Sequence, residues 1–413
     1  MSNRVVVTGM GVVSPVGNTA TEFVDNILAS KNGIGPITKF DASETGISLA
    51  AEVKDFDPGN RLSKRDYKRL DPYAQYALYT AKEAMDQAGL VVNESYQPEE
   101  LGVIYGTGIG GIQTIEEQLQ KAYQKGPRRV SPLFVPKAIS NMAAGNVSMY
   151  FDAQNTSETV VTACASGTNA VGDAFEHIKN GKAQIMIAGG TEAAVSMMGI
   201  AGFAALTALS TVADPDKASL PFDVNRSGFV LGEGAASLVL EDYEHAKQRG
   251  AHILAEVVGY GTTSDAYHLT APDPDGKGAI MAMKQALNEG GITPEELDYV
   301  NAHGTATHAN DVAEGSDIEK LFKDNDHVKT SSIKGMVGHS LGAAGGLEAA
   351  ILVGALQRGQ MPVNVGLYEQ DPEIHIDLVN DDNKQAPIKT AISNSFGFGG
   401  HNAVIAMRKW EED

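Results

Sequence analysis

Three residues whose side chains can carry acyl-transfer chemistry follow strand-like runs of the sequence. Cys164, the single cysteine of the chain, lies in the segment VTACASGTNA. His303 lies in NAHGTAT and His339 in KGMVGHS, each beside a glycine that leaves space before the imidazole. A lone cysteine is more often inert packing, and a single histidine at a turn is more often structural. A thiol and two imidazoles in like positions together indicate a nucleophilic acyl-transfer site.

The position of Cys164 favours a reactive thiol. The residues after it, ASGTNAVGDAFEHIKNG, predict a helix, so free N–H groups and the positive end of the helix dipole would point at the sulfur. Thiols in that position often have a pKa well below the free value of about 8.5. We therefore expect the pKa of Cys164 to be lowered. Small neighbours such as Ala163 and Gly167 leave room for an acyl group.

A glycine-rich segment near the C-terminus, AISNSFGFGGHNA, is the fourth element expected in the site. Glycines let backbone N–H groups approach a ligand closely. Such N–H groups stabilise the negative charge that develops on a carbonyl oxygen during acyl transfer.

The elements that must position these residues belong to an α/β fold. Short β-branched runs such as RVVVTG and AQIMIAGG alternate with alanine-rich helical stretches. Two segments share one layout of strand, reactive turn and small-residue helix: SETVVTACASGTNAVGDAFEHIKNG and KTSSIKGMVGHSLGAAGGLEAAILVGALQRG. This parallel predicts a duplicated chain, with half 1–251 carrying the cysteine and half 252–413 carrying the histidines. Helices so rich in Gly and Ala are expected to pack closely against other helices.

Composition limits the partners and the compartment. The formal net charge is -20, so polyanions such as nucleic acids and anionic membranes are repelled at long range. The N-terminal residues lack a signal-peptide pattern, and no apolar run reaches the roughly 20 residues of a membrane span. A single cysteine also cannot form an internal disulfide. We therefore expect a cytoplasmic protein.

An acidic partner would have to meet a local basic patch. Two segments offer one, RLSKRDYKR and the run around KGPRR, and a solvated helix face is the alternative interpretation. The candidate docking residues are Lys64, Arg65, Lys68, Arg69, Arg128 and Arg129.

Six motifs in order resemble the β-ketoacyl-acyl carrier protein synthases, most closely the elongating condensing enzymes of bacterial type II fatty-acid synthesis. They are VVVTGMGVVSPVGN, TACASGTNA, PFDVNRSGFVLGEGA, NAHGTAT, KGMVGHSLGAAGG and SNSFGFGGHN. The resemblance implies a thiolase-like fold with five alternating layers, αβαβα, built from two duplicated halves and assembled as a homodimer.

The resemblance also implies a division of roles. Cys164 would take an acyl chain from the phosphopantetheine thiol of acyl carrier protein and hold it as a thioester. His303 and His339 would donate Nε2–H bonds to the malonyl thioester oxygen and promote loss of CO2. The backbone N–H groups of Cys164 and Phe398 would hold the oxyanion during condensation. The product is a β-ketoacyl chain two carbons longer.

Further positions match by the same resemblance. Phe398 matches a gating residue, Ile109 the far end of the acyl pocket, and Lys334 a lysine beside the histidines. Asp311 and Glu314 match nearby acids that would orient the histidines, with surface ion pairs as the alternative. No cofactor is expected beyond the phosphopantetheine of the substrates, apart from a structural monovalent cation. Its expected oxygen ligands are Asn301, Glu348, Ser393 and Asn394.

The sequence departs from the family pattern in two places. Ala306 and His308 replace the usual residues in the stretch after His303. Thr207, Val212 and Leu220 stand where arginines are common, which weakens part of the expected carrier-protein patch.

Four other classes of protein can be compared with this interpretation by the site residues that each requires. A thiolase needs a second cysteine, and the initiating synthase uses Asn in place of one histidine. A non-catalytic chain-length-determining subunit lacks the nucleophile that Cys164 supplies here. A polyketide-type ketosynthase keeps all three residues and stays open as an alternative.

Overall fold

The computed structural model describes residues 2–412. In that part of the chain twelve strands form, and their bounds are β1 Val5–Val13, β2 Gly35–Pro36, β3 Leu49–Ala50, β4 Leu101–Gly106, β5 Ser157–Val160, β6 Ile185–Glu192, β7 Gly234–Asp242, β8 Ala255–Ser264, β9 Tyr299–Asn301, β10 Lys329–Ser331, β11 Thr390–Gly397 and β12 His401–Lys409. All but β2 and β3 belong to one large sheet.

Thirteen α-helices connect these strands within residues 2–412. Their bounds are α1 Ala20–Leu28, α2 Lys64–Tyr67, α3 Pro72–Ala88, α4 Ile112–Lys125, α5 Phe134–Ala138, α6 Met142–Phe151, α7 Ser166–Lys179, α8 Met197–Ala205, α9 Tyr243–Gln248, α10 Lys277–Gly290, α11 His308–Leu321, α12 Lys334–Val337 and α13 Ala344–Arg358. Short 3₁₀ turns add Pro58–Asn60, Pro98–Glu100, Pro127–Arg129, Ala163–Ala165, Pro294–Glu296 and Leu341–Ala343.

The strand order repeats between the two halves of the chain. The first half runs β5-β4-β6-β7-β1, and the second runs β10-β9-β11-β12-β8 with the same pattern of parallel and antiparallel pairs. The halves join where β1 pairs antiparallel with β8. This repeat confirms the predicted duplicated α/β fold. The boundary between residues 251 and 252 lies in the connection from α9 to β8 and stays a prediction.

Helices cover the sheet in layers. The outer helices are equivalent: α3 packs on β1, β7 and β6, and α10 packs on β8, β12 and β11. Glycines permit both close approaches, since a Cβ at Gly9 would lie 2.1 Å from the Ala84 oxygen and one at Gly259 would lie 2.0 Å from the Ala286 oxygen. Between the halves, α7 and α13 contact strands of both. The layers therefore alternate as predicted, αβαβα.

The two central helices touch through small residues. A Cβ at Gly167 of α7 would lie 2.7 Å from the Gly346 nitrogen of α13, and one at Gly345 would lie 2.2 Å from the Thr168 hydroxyl. Helix α13 is buried from Ala344 to Leu356, which explains its lack of a polar face. The expected close packing of Gly- and Ala-rich helices is confirmed. None of the helices in the described chain is both long and apolar enough to cross a membrane.

Candidate active site

The residues singled out from the sequence surround one cavity. Cys164, His303, His339 and Phe398 all line a space of about 510 Å³ at the junction of the two halves. The cysteine comes from the first half, and the other three residues come from the second. The fold thus brings together the cysteine, the two imidazoles and the glycine-rich segment.

Cys164 sits in the short turn Ala163–Ala165 that opens directly into α7. Ala163, with a φ of 51°, adopts the left-handed conformation that alanine rarely takes. Gly397 allows the glycine-rich segment to lie against this turn, because a Cβ there would be 2.6 Å from the Thr162 oxygen. The backbone N–H of the next residue, Phe398, lies near the Cys164 sulfur and opposes the rise in the pKa of the thiol. The oxyanion role expected of this N–H stays a prediction.

The charge state of Cys164 differs from the expectation. Burial raises the pKa of its thiol to about 12, and the charges of Glu192 and Glu348 add to the rise while Lys334 opposes it. The prediction of a lowered pKa was wrong, because burial disfavours the thiolate by more than the helix start and Lys334 stabilise it. The resting group is a neutral thiol.

The two histidines form an edge-to-face pair in the cavity wall. Their ring centroids are 5.3 Å apart, with the planes at 86°. The Nδ1 atoms of both rings are buried without a hydrogen-bond partner in the described chain. An unpartnered lone pair costs less than an unpartnered N–H group, so the proton belongs on Nε2. Burial, with the charge of Lys334, lowers the pKa of both imidazoles well below the ordinary value. Both rings are neutral donors.

Glu314 holds the backbone at His303. Its carboxylate accepts from the N–H groups of His303 at 2.8 Å and Gly304 at 2.7 Å. The side-chain amide of Asn394 donates to the same carboxylate at 3.1 Å. Burial raises the pKa of Glu314 to about 7. The predicted orienting position of Glu314 thus has a geometric basis in the strand-to-helix loop that carries His303.

Asp311 lies behind the same loop, and its carboxylate forms no hydrogen bond with a histidine within residues 2–412. It accepts from the Phe222 N–H at 2.9 Å and lies 3.6 Å from Arg226, whose side chain is fully buried. Burial raises the pKa of Asp311 to about 6. The aspartate therefore connects the His303 loop to the segment around Arg226.

Lys334 pairs with Glu348, which the sequence had assigned to a cation site. The ammonium donates to one carboxylate oxygen inside the protein, and Ser395 donates to the other at 3.3 Å. Helix α13 carries Glu348 into contact with the lysine, whereas Asp311 and Glu314 bind backbone N–H groups. The orienting role expected of Lys334, Asp311 and Glu314 stays a prediction.

Three of the four expected cation ligands, Asn301, Ser393 and Asn394, have a buried side-chain oxygen without a hydrogen-bond partner in residues 2–412, and two of these oxygens share one face of the sheet. The Asn301 Oδ1 and Ser393 Oγ atoms are buried without a hydrogen-bond partner in residues 2–412. These residues are register partners on β9 and β11, so their side chains point the same way. Asn394 points to the opposite face, toward Met283 and Glu314. Oxygen donors suit a hard monovalent cation, and the fit rests on Asn301 and Ser393.

The remaining predicted residues lie away from the cavity wall. Ile109 packs against the apolar cluster that contains Cys164 and Leu341, behind the nucleophile. The six docking candidates are exposed and form no ion pair within the described residues. They are Lys64, Arg65, Lys68, Arg69, Arg128 and Arg129.

Arg226 is a residue of the site that the sequence reasoning missed. Its guanidinium donates to the Asp371 carboxylate at 2.6 Å, to the Thr307 carbonyl at 3.4 Å and to the His308 carbonyl at 3.2 Å. Arg226 thereby fixes the stretch after His303 that departs from the family pattern. In this stretch Ala306 takes a left-handed φ of 65°, and His308 starts α11 at the cavity wall. An arginine inside the motif PFDVNRSGFVLGEGA was the available signal.

Glu192 was also missed. It ends β6 and is fully buried, yet it carries a carboxylate in a run of small residues, GGTEAAV. A charged residue at the end of a buried strand was the signal that could have found it.

The duplicated α/β fold, with a helix-start cysteine and two neutral histidines in one cavity, defines a condensing-enzyme architecture. The β-ketoacyl synthase N-terminal domain model matches residues 2–246, and the C-terminal domain model matches residues 254–368. The chain belongs to the β-ketoacyl synthase family.

Relatives of known name are similar over nearly the whole chain. A protein of Synechocystis sp. named 3-oxoacyl-(acyl-carrier-protein) synthase 2 is 45% identical over 99% of this chain and 98% of its own. One of the same name from Coxiella burnetii is 46% identical over 98% of each. A solved structure shows a type II polyketide acyl-carrier protein in complex with its ketosynthase. One chain of that structure is 33% identical to this chain with a TM-score of 0.91, and the match covers 99% of this chain and 100% of that one.

Proposed function

We propose that this protein is an elongating 3-oxoacyl-(acyl-carrier-protein) synthase that extends fatty acyl chains by two carbons. The observation that carries the proposal is the shared cavity of Cys164, His303 and His339, with both imidazoles neutral and a backbone N–H at the sulfur. The similarity to relatives named 3-oxoacyl-(acyl-carrier-protein) synthase 2 supports the same assignment.

In the first step the Cys164 sulfur attacks the carbonyl carbon of an acyl chain carried on acyl carrier protein. The carbon–sulfur bond to the carrier breaks, and the proton of the Cys164 thiol ends on the departing carrier sulfur. The N–H groups of Phe398 and Cys164 stabilise the tetrahedral oxyanion. A neutral resting thiol reacts only when the substrate and these N–H donors are in place, because burial disfavours a free thiolate.

In the second step malonyl-acyl carrier protein loses CO2. The electron pair of the broken carbon–carbon bond stays on the remaining thioester, which becomes an enolate. The Nε2–H groups of His303 and His339 donate to the enolate oxygen, where a neutral donor stabilises charge without adding a buried positive charge. The carbanion attacks the acyl carbonyl on Cys164, the sulfur departs, and it takes up one proton. The product is a β-ketoacyl chain on the carrier protein.

The partner is acyl carrier protein, which carries its substrates on phosphopantetheine. Support comes from the exposed basic residues around α2, from Lys64 to Arg69, on a chain that is otherwise acidic. The similar ketosynthase solved with an acyl-carrier protein supports this partner as well. A local basic patch on an acidic body attracts an acidic partner over a short range, so docking should weaken with salt.

The protein is proposed to act as a cytoplasmic homodimer. Strand β5 is an edge strand of the sheet, and apolar side chains beside it and in residues 131–146 are exposed, among them Val135, Met149 and Val161. Unpaired edges and contiguous apolar surface mark sites of association. Sedimentation of the purified protein tests the dimer, and a monomer at micromolar concentration would refute it.

A monovalent cation is proposed at Asn301 and Ser393. Two buried oxygens without partners support it, since leaving them unsatisfied costs stability. Thermal unfolding in potassium chloride, compared with choline chloride at equal ionic strength, should show stabilisation that Ser393→Ala removes. Equal unfolding in both salts would refute the site.

The assignment is tested by mass spectrometry of the protein mixed with acyl-acyl carrier protein. An acyl adduct is expected on Cys164, and Cys164→Ala should neither form the adduct nor condense. His303→Ala and His339→Ala should lose malonyl decarboxylation more than adduct formation, whereas the control His177→Ala should keep both. A condensing Cys164→Ala protein would refute the proposal. Substrates of different chain length then separate fatty-acid elongation from polyketide extension.

A further inference from the structure

Glu192 is a fully buried carboxylate surrounded by four donors. The N–H groups of Gly108 and Gly342 donate to Oε2 at 2.6 and 3.1 Å. The N–H of Ile109 and the hydroxyl of Thr107 donate to Oε1 at 3.2 and 3.1 Å. No lysine, arginine or histidine of residues 2–412 forms an ion pair with it. Its charge is therefore held by dipoles alone.

The four donors come from both halves of the chain. Three belong to the loop after β4 in the first half, and Gly342 belongs to the turn that follows His339 in the second. The two segments touch directly, because a Cβ at Gly342 would lie 2.3 Å from the Gly108 nitrogen. Glu192 thus joins the half that carries Cys164 to the half that carries the histidines.

Glu192 lies near the Cys164 turn, because Ile109, whose N–H donates to its carboxylate, packs against the apolar cluster that contains Cys164 and Leu341. The negative charge of Glu192 contributes to the raised pKa of Cys164, as does that of Glu348. Lys334 neutralises Glu348, whereas Glu192 has no such partner. Burial raises the pKa of Glu192 to about 7, so the carboxylate is charged at higher pH.

We propose that Glu192 is a positioning residue of the acylation site, which clamps the His339 turn to the loop after β4 and whose negative charge disfavours the Cys164 thiolate. The proposal rests on the proposed function for the role of Cys164 as nucleophile. It assigns to Glu192 the protection of the resting thiol, which reacts only when a bound thioester and the oxyanion donors are in place.

The test uses Cys164 as its own probe, since it is the only thiol of the chain. The rate of alkylation by iodoacetamide is followed by mass spectrometry from pH 6 to 10 on the full-length protein. Over this range the thiol is mostly protonated, so the rate follows the small thiolate fraction, and Glu192→Gln is expected to raise that fraction about tenfold, as removal of a nearby like charge does. Alkylation at pH 8 is then about tenfold faster. An alkylation profile identical to that of the unmodified protein would overturn the proposal.

Two further variants separate charge from clamp. Glu192→Asp keeps the charge and shortens the reach, so alkylation at pH 8 should stay as slow as in the unmodified protein while condensation slows. Glu83→Gln is the matched control, because Glu83 also accepts two backbone N–H groups, from Val12 and Ala20, outside the cavity. It should leave the Cys164 profile unchanged. A shift of equal size in Glu83→Gln would also overturn the proposal.

A milder change covers the case in which Glu192→Gln does not fold. Thr107→Val removes one donor to the carboxylate and so raises the pKa of Glu192, which leaves more of it neutral near pH 7. Alkylation near that pH should then be faster than in the unmodified protein, and an unchanged rate would refute the electrostatic role. Alkylation needs no carrier protein, so a failure to condense acyl chains would refute the proposed function and leave this test intact.

Discussion

Lys334 and Glu348 form a buried ion pair beside the two catalytic candidates of the second half. Each side chain is 2% exposed, and neither lines the cavity. The positive charge of Lys334 adds to burial in lowering the pKa of His303 and His339. The pair therefore acts on the charge state of the imidazoles from behind the cavity wall.

Removal of one member of this pair should be costly. Lys334→Met leaves the Glu348 carboxylate buried without its cation, and breaking such a pair typically costs about 3–5 kcal/mol. Urea unfolding should show a loss of this size, and Lys334→Met with Glu348→Gln should recover part of it. Lys277→Met, which removes an exposed pair with Asp275, should leave the unfolding midpoint unchanged. A fully stable Lys334→Met protein would contradict a structural role for the pair.

The histidines should stay neutral in mildly acidic solution. Because their pKa values lie well below the ordinary value of about 6.5, neither ring should take up a proton as the pH falls from 8 to 6. His245 provides an internal control, since the hydrogen bond to Glu241 raises its pKa. Imidazole resonances in NMR should therefore move for His245 in this range and not for His303 or His339. In Lys334→Met the two silent rings should begin to titrate at a higher pH.

The sequence predicts the convergence of Cys164, the histidines and Phe398 because each lies at the end of a strand-like run within a glycine-rich turn. The duplicated layout follows from the same local patterns. The partner of Lys334 could not be predicted in this way, since Glu348 reaches it only when α13 packs between the halves. The raised pKa of Cys164 has a similar origin, because burial depends on the whole fold and outweighs the local helix start.

The side chains available to the expected cation could be narrowed from the sequence itself, although the site stays a prediction. Adjacent residues of a strand face opposite ways, so Ser393 and Asn394 of β11 could not both direct side chains to one cation. The contacts of β11 agree with this alternation. Ser395, which shares a face with Ser393, donates to Glu348 of α13, whereas Asn394 contacts Met283 of α10 on the other face. Glu192 and Arg226 were harder to find from the sequence. Their roles depend on hydrogen bonds with loop residues that come close to them only in the folded chain.

Arg226 should position the His303 loop. The guanidinium spans Asp371 and the carbonyls of Thr307 and His308, and a lysine keeps the charge without this planar span. Arg226→Lys is therefore expected to lower malonyl decarboxylation, by roughly 10²-fold if the loop moves by about 1 Å. Acyl transfer to Cys164, measured by mass spectrometry, should change little.

The control for this variant is Arg249→Lys, because Arg249 also binds a buried carboxylate, that of Glu241, and does not line the cavity. It should keep both partial reactions. Equal losses of decarboxylation and acyl transfer in Arg226→Lys would indicate general destabilisation and contradict the positioning role.

Charge reversal on the basic patch should weaken the carrier protein's encounter without touching the chemistry. Lys64 and Arg65 are exposed and unpaired within residues 2–412, so Lys64→Glu with Arg65→Glu should raise the KM for acyl-acyl carrier protein several-fold. Surface charges act mainly on association and are screened by salt. The salt dependence of KM should therefore flatten, while kcat for a small acyl thioester that lacks the carrier stays constant. Lys323→Glu, at another exposed lysine, is the matched control, and an equal rise in KM for it would show that net charge rather than this patch is responsible.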